Sequence, residues 1–273
     1  MNSIDLAGRS VPRIGQGTWR MGEDPARARQ EIAALQQGID LGLTLLDTAE
    51  MYGEGGAEKI VGQAIQGRRD DVMLVSKVYP HNASSQGVIK ACERSLQRLN
   101  TERIDLYLLH WRGQYPLSET VEAFERLQAQ GKIGRWGVSN FDVDDMTELE
   151  DTRCATNQVL YNLEERGIEF DLLPWCAKQA MPLMAYCPIA QGGRLLDQPA
   201  LRQVAERHGI TPAQACLAWV VRHDNVIAIP KASTPEHVRL NAGALQVKLD
   251  EADLASLDAA YPPPLRKQRL NMV

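Results

Sequence analysis

The chain of 273 residues carries a net charge of −5 and is 44% hydrophobic and 24% charged, with acids and bases interspersed. That is enough apolar material for a sizeable core, and it lacks the basic footprint of a nucleic-acid or anionic-membrane binder. No apolar run approaches bilayer length, and the opening MNSIDLAGRSVPRIG shows no basic segment followed by an apolar one, so a cytoplasmic protein is expected.

In chain order, short apolar runs alternate with longer amphipathic ones. Strands are expected at 14–18, 44–47, 72–77, 105–110, 135–139, 157–160, 183–186 and 226–229. Helices are expected at 57–66, 86–99 and 118–130, with helical stretches also separating the later strands. The helix at 86–99 places Val88, Ile89, Cys92, Leu96 and Leu99 on one face. Short, continuously apolar strands covered by helices indicate a parallel sheet buried on both sides. Eight such units with no dividing linker imply an α/β fold of one domain over 1–273, a closed (β/α)8 TIM barrel. The competing doubly wound sheet needs a glycine fingerprint after its first strand, and Gly15-Gln16-Gly17-Thr18-Trp19-Arg20 lacks the third glycine. The five cysteines (Cys92, Cys154, Cys176, Cys187, Cys216) are scattered and form no CxxC pair, which argues for reduced thiols and against a zinc site. Asn82-Ala83-Ser84 fits a glycosylation sequon, read as chance without a secretory route.

Barrel chemistry gathers at the C-terminal ends of the strands. Those ends carry Trp19, Asp47, Lys77, His110, Ser139-Asn140, Gln158, Tyr186 and Lys231, and Tyr52 follows Asp47 in its loop. Singly, each has an ordinary explanation. Asp47 and Lys77 could form a structural ion pair, His110 could be a satisfied rim histidine, and Trp19 and Trp111 could be rim packing. Thr234-Pro235 has a counterpart in Thr211-Pro212 and alone says only helix cap. Together, at successive strand ends, they describe a site. A phenol with a pKa near 10 is a poor acid at neutral pH, and a neighbouring ammonium is expected to lower it. Lys77 then needs a carboxylate, which Asp47 supplies, while His110 orients the group that receives the proton. With no protein nucleophile or metal, that set suits carbonyl reduction by hydride from a dissociable cofactor. Ser139, Asn140 and Gln158 could grip a carboxamide, and Tyr186 could stack a flat ring. Lys231, Ser233 and the helix start at Thr234-Pro235 form a candidate phosphate site.

Several runs carry a family resemblance. LLDTAEMYG from Leu45 to Gly53, Val75-Ser76-Lys77, DLYLLHW from Asp105 to Trp111, GVSNF from Gly137 to Phe141, Asn157-Gln158-Val159 and Ile229-Pro230-Lys231 resemble the aldo-keto reductases, in order, over essentially the whole chain. Gln16-Gly17-Thr18-Trp19 resembles the bacterial branch whose members reduce small aldehydes such as methylglyoxal. The resemblance implies an NADPH-dependent barrel without a metal, with NADH a weaker alternative, acting on a small carbonyl compound as a monomer. It implies Asp47, Tyr52, Lys77 and His110 as the catalytic set, with Tyr52 the proton donor. Trp19, Tyr52, His110 and Trp111 would meet the substrate. The cofactor would be held by Gly17, Thr18, Trp19, Asp47, Ser139, Asn140, Gln158, Tyr186, Cys187, Pro188, Ile189, Lys231, Ser233, Thr234, His237 and Asn241.

The chain also departs from that family. Cys187-Pro188-Ile189 stands where Ser-Pro-Leu is frequent, so a hydroxyl is missing. Ala232, His237 and Leu240 replace the Ser, Arg and Glu that often accompany NADPH preference, while Asn241 is kept. The tail at 261–273 is short, which suggests a shallow site. Two other readings exist: a barrel aldolase with Lys77 as Schiff-base nucleophile, and a cofactor-binding sensor with little turnover.

Overall fold

The computed structural model describes residues 2–149 and 153–273. An antiparallel hairpin comes first, β1 (Ser3–Leu6) and β2 (Arg9–Pro12), turning on Ala7 and Gly8, both with positive φ. Eight parallel strands follow: β3 (Gln16–Gly17), β4 (Leu45–Asp47), β5 (Met73–Val78), β6 (Ile104–Leu109), β7 (Ile133–Ser139), β8 (Asn157–Leu160), β9 (Leu183–Tyr186) and β10 (Val226–Ala228). Each pairs with its sequence neighbour, and parallel bridges Ile14–Ala228 and Gly17–Lys231 join the first strand to the last. The sheet is thereby closed into a single-domain (β/α)8 barrel, as the alternating pattern implied.

The strands are short because each crosses the barrel once. Every residue of β4, β5, β8 and β10 is buried, which explains their lack of apolar–polar alternation. The helices between them are α1 (Ala28–Asp40), α2 (Gly56–Ala64), α3 (Ser85–Leu99), α4 (Leu117–Ala129), α5 (Val143–Leu149), α6 (Leu172–Lys178), α7 (Pro199–His208), α8 (Pro212–Val220) and α9 (Pro235–Gly243), with α10 (Glu251–Ala260) after the barrel. Helix α3 shows how local chemistry sets the bounds. The Ser84 hydroxyl caps it by accepting from the Gly87 N–H, and Asn100 ends it in a left-handed conformation. Val88, Cys92, Leu96 and Leu99 are buried as the spacing predicts, whereas Ile89 lies only half-buried at the edge of that face.

The core has two layers. The larger fills the space between strands and helices. The smaller lies inside the barrel, where Leu45, Met73, Val75, Leu106, Leu108, Met184 and Ile227 meet Leu6 and Val11 of the hairpin. The hairpin thus packs into the interior core below the strand ends, leaving the C-terminal ends free for chemistry.

Candidate active site

Asp47 ends β4 and Lys77 lies on β5, and both are almost fully buried. The Lys77 ammonium donates to Asp47 Oδ2 at 2.8 Å, to the Thr48 carbonyl at 2.9 Å and to the Tyr52 phenol oxygen at 3.2 Å. Those three acceptors use all of its protons. Tyr52 comes from the turn after β4, and its oxygen accepts from Lys77, so its own O–H proton is available to a ligand. His110, one residue beyond β6, sets its ring edge-on to Tyr52 with centroids 5.8 Å apart. The other Asp47 oxygen, Oδ1, accepts from Gln158 Nε2 at 2.8 Å across the barrel.

Burial, reinforced by Asp47, pushes the Tyr52 phenol well above its ordinary pKa. This reverses the expectation of a phenol lowered by its lysine: the low-dielectric pocket outweighs the ammonium while the phenol is neutral. The Lys77 ammonium itself is lowered by burial and partly restored by Asp47. Burial and then Lys77 bring His110 down to about 2, so its imidazole stays neutral across the working pH range. His110 Nδ1 is buried without a partner, which leaves Nε2 to serve the cavity. A neutral imidazole can donate or accept a hydrogen bond there, and the protonated Tyr52 phenol stands beside it.

These residues open onto a cavity of about 390 Å³ at the C-terminal end of the barrel. Of the residues singled out by sequence, Gly17, Thr18, Trp19, Asp47, Tyr52, His110, Trp111, Asn140, Gln158, Tyr186, Cys187, Pro188, Ile189 and Lys231 line it. Lys77 stands behind Tyr52, fully buried. Ser139 is also withdrawn: its hydroxyl donates to the Gln158 carbonyl and accepts from Asn140 Nδ2. Tyr186 donates to Asn140 Oδ1 at 2.8 Å, which pins the flat ring at the cavity wall. Ser233, Thr234 and His237 lie outside the cavity around the start of α9, where the Thr234 hydroxyl already caps the His237 N–H, and Asn241 lies outside it in the last turn of that helix. Burial pushes the Cys187 thiol up to about 11, so it stays protonated as a packing residue.

The cavity suits a nicotinamide dinucleotide phosphate. An aromatic wall, Tyr186, stands beside the amides of Asn140 and Gln158, and two cations, Lys231 and Arg20, line the rim with no ion-pair partner among the described residues. Unpaired cations beside a largely apolar pocket favour an anionic ligand. Burial and then Arg27 lower the Lys231 ammonium, with Glu31 partly offsetting them.

Sequence reasoning missed part of the lining: Arg20, Met51, Gln191, Ile229, Pro230, Met272 and Val273. Arg20 was legible as the residue after a strand-end tryptophan; its guanidinium lies 4.6 Å over the Trp19 ring. The tail, though short, reaches the site. Lys267 reaches Asp144 and Asp171, and Asn271 Nδ2 donates to Glu165 Oε2 at 2.8 Å. These ties bring the tail to the cavity, so that Met272 and Val273 form part of the wall.

Comparison with known proteins agrees with this geometry. The Aldo/keto reductase family profile matches residues 13–262. The chain is 58% identical to the methylglyoxal reductase YeaE of Escherichia coli strain K12, over 97% of this chain and 96% of that one. It is 33% identical to the glyoxal reductase of Bacillus subtilis strain 168, over 92% and 90%. Among solved structures, an aldo/keto reductase from Klebsiella pneumoniae in complex with NADP and acetate superposes with a TM-score of 0.98 at 56% identity, covering 100% of this chain and 99% of that one.

Proposed function

Because the chain belongs to the aldo/keto reductase family, and is by that membership an NADPH-dependent oxidoreductase of carbonyl compounds, we propose that it reduces small α-oxoaldehydes of the methylglyoxal type with Tyr52 as the proton donor. The observation that carries the assignment of Tyr52 is the direction of one hydrogen bond. Lys77 donates to the phenol oxygen, so the phenolic proton is free to move to a substrate oxygen. NADPH, when bound, supplies the hydride. The chain's own residues do the rest. Neutral His110 donates a hydrogen bond that steers the carbonyl oxygen toward Tyr52. As that oxygen gains charge, Tyr52 gives it a proton, and the phenolate left behind faces the Lys77 ammonium at 3.2 Å. Asp47 holds the ammonium in place from the opposite side.

On the cofactor side, Asn140 and Gln158 would hold the carboxamide, Tyr186 would stack the ring and Lys231 would meet the 2′-phosphate. Trp19, Trp111 and Met272 enclose a space suited to a compact carbonyl compound. The aldolase reading loses its basis, because a lysine committed to three acceptors is an ammonium and offers no lone pair. A cytoplasmic location accords with five free cysteines and no disulfide among the described residues. The test is NADPH oxidation followed by absorbance with methylglyoxal and with an aromatic aldehyde. Turnover favouring methylglyoxal supports the substrate assignment, and turnover of the aromatic aldehyde alone refutes it.

A further inference from the structure

Tyr52 is carried by a turn in which Gly53, Glu54 and Gly55 all adopt positive φ, at 56°, 51° and 87°. Gly53 and Gly55 take that conformation freely, but Glu54 does not, and a non-glycine residue there persists only where the surroundings hold it. Part of that determination comes from the loop after β3: the Gly22 and Gly56 backbones touch, and a Cβ on Gly22 would lie 2.3 Å from the Gly56 carbonyl carbon. The buried Glu31 fixes Gly22 by accepting its N–H at 2.9 Å.

The remainder comes from α3. The Arg98 side chain lies against Gly55 so closely that a Cβ there would come 2.4 Å from Arg98 Cδ and 2.5 Å from Nε. Arg98 is itself held: Nε donates to Glu58 Oε2 at 2.6 Å, and Nη2 to Ser95 Oγ at 3.2 Å. Glu58, fully buried on α2, uses its other oxygen to accept from Ser76 Oγ at 2.6 Å. Ser76 immediately precedes Lys77 on β5. One line of contacts therefore runs from the strand that carries the lysine, through Ser76, Glu58 and Arg98, to the turn that carries the phenol.

We propose that Arg98 is a positioning residue for the reaction: locked by Glu58, its aliphatic arm presses on Gly55 and sets the Tyr52 phenol against Lys77. This rests on the reading of Tyr52 as proton donor. Arg98 touches neither substrate nor cofactor, and acts only through the turn. A clamp that served stability alone would lower the melting temperature without altering chemistry in the folded enzyme.

The experiment compares paired substitutions, because Arg98→Ala alone leaves a buried carboxylate unpaired and threatens folding. Arg98→Ala with Glu58→Gln removes arm and charge together. Arg98→Met with Glu58→Gln removes the charge but keeps most of the arm. The first pair is expected to lower kcat about ten-fold or more, as small misplacements of catalytic groups do, with NADPH affinity within about two-fold of the parent. The second pair is expected to recover most of that loss. In a Tyr52→Phe background the first pair should cost almost nothing further, since no phenol remains to be positioned. Unchanged kcat in the first pair, equal losses of kcat and cofactor affinity, or a second pair no better than the first would each overturn the proposal. Tyr52→Phe alone separates the two claims. If it keeps full rate, the reading of Tyr52 has failed and Arg98 has nothing to position; if it is slow while the first pair is fast, only the role of Arg98 has failed.

Discussion

Lys77 Nζ and Tyr52 Oη are 3.2 Å apart, with the ammonium donating and the phenol oxygen accepting, and both are buried. The contact does not ionise the phenol in the resting site, where burial keeps it protonated. In the proposed transfer its value lies in the second half, when the negative charge would arrive on an oxygen already facing a cation. Stabilisation arranged in advance and realised as charge develops raises the rate without tightening substrate binding.

Replacing Lys77 by Met should therefore strike rate and stability together. The buried Asp47 would keep Gln158 but lose its counter-charge, a defect worth about 3–5 kcal/mol. Chemical denaturation should show that loss, and kcat should fall by at least about 100-fold. Adding Asp47→Asn should restore much of the stability and none of the rate. Near-normal turnover in Lys77→Met would show that the pair is structural.

His110 contributes a pH dependence of definite sign. Its pKa is about 2 in the folded protein against an ordinary value of 6.5. Between those values the unfolded chain binds a proton that the folded one refuses. Its contribution to stability is therefore full above pH 6.5 and falls as pH drops, by about 1.4 kcal/mol per pH unit. His223, brought down to about 4 by burial, adds to the slope over a narrower window. Denaturation at pH 5, 6 and 7 should show a shallower slope for His110→Gln than for the parent. Between pH 6.5 and 8, kcat should show no acidic limb from this residue.

Lys231→Ala tests the phosphate end. Loss of a charge-assisted hydrogen bond costs about 1.5–3 kcal/mol, so NADPH should bind about 10–100-fold more weakly. NADH, which lacks the 2′-phosphate, should bind almost as before. Fluorescence titration with both cofactors measures the difference, and equal losses would refute the assignment.

The architecture was legible because its signals are local. Runs such as Leu106–Leu109 are apolar throughout, the fingerprint of strands with no exposed face. The site could be read because polar residues interrupt the buried strands themselves, and the register then brings Asp47, Lys77 and Gln158 to one mouth. The hairpin was missed because Ser3–Leu6 and Arg9–Pro12 are short, and they turn on Ala7-Gly8, without the Asn-Gly or Asp-Gly pair that marks such turns. The tail's place in the wall was missed for another reason. Its path depends on long-range ties from Lys267 and Asn271 to acids far away in the chain, and no periodicity encodes them. The direction of the Tyr52 shift was also out of reach of sequence, since it depends on burial in the folded pocket.

The central claim is that the Tyr52 proton completes the reduction, and Tyr52→Phe tests it most directly. The variant removes one hydroxyl from a buried ring. NADPH oxidation with methylglyoxal at saturating cofactor would be measured beside an NADPH titration of the same sample. The predicted result is a kcat lowered by about 100-fold or more, with NADPH affinity within about two-fold of the parent. A variant that binds NADPH normally and turns over at the parent rate would contradict the account.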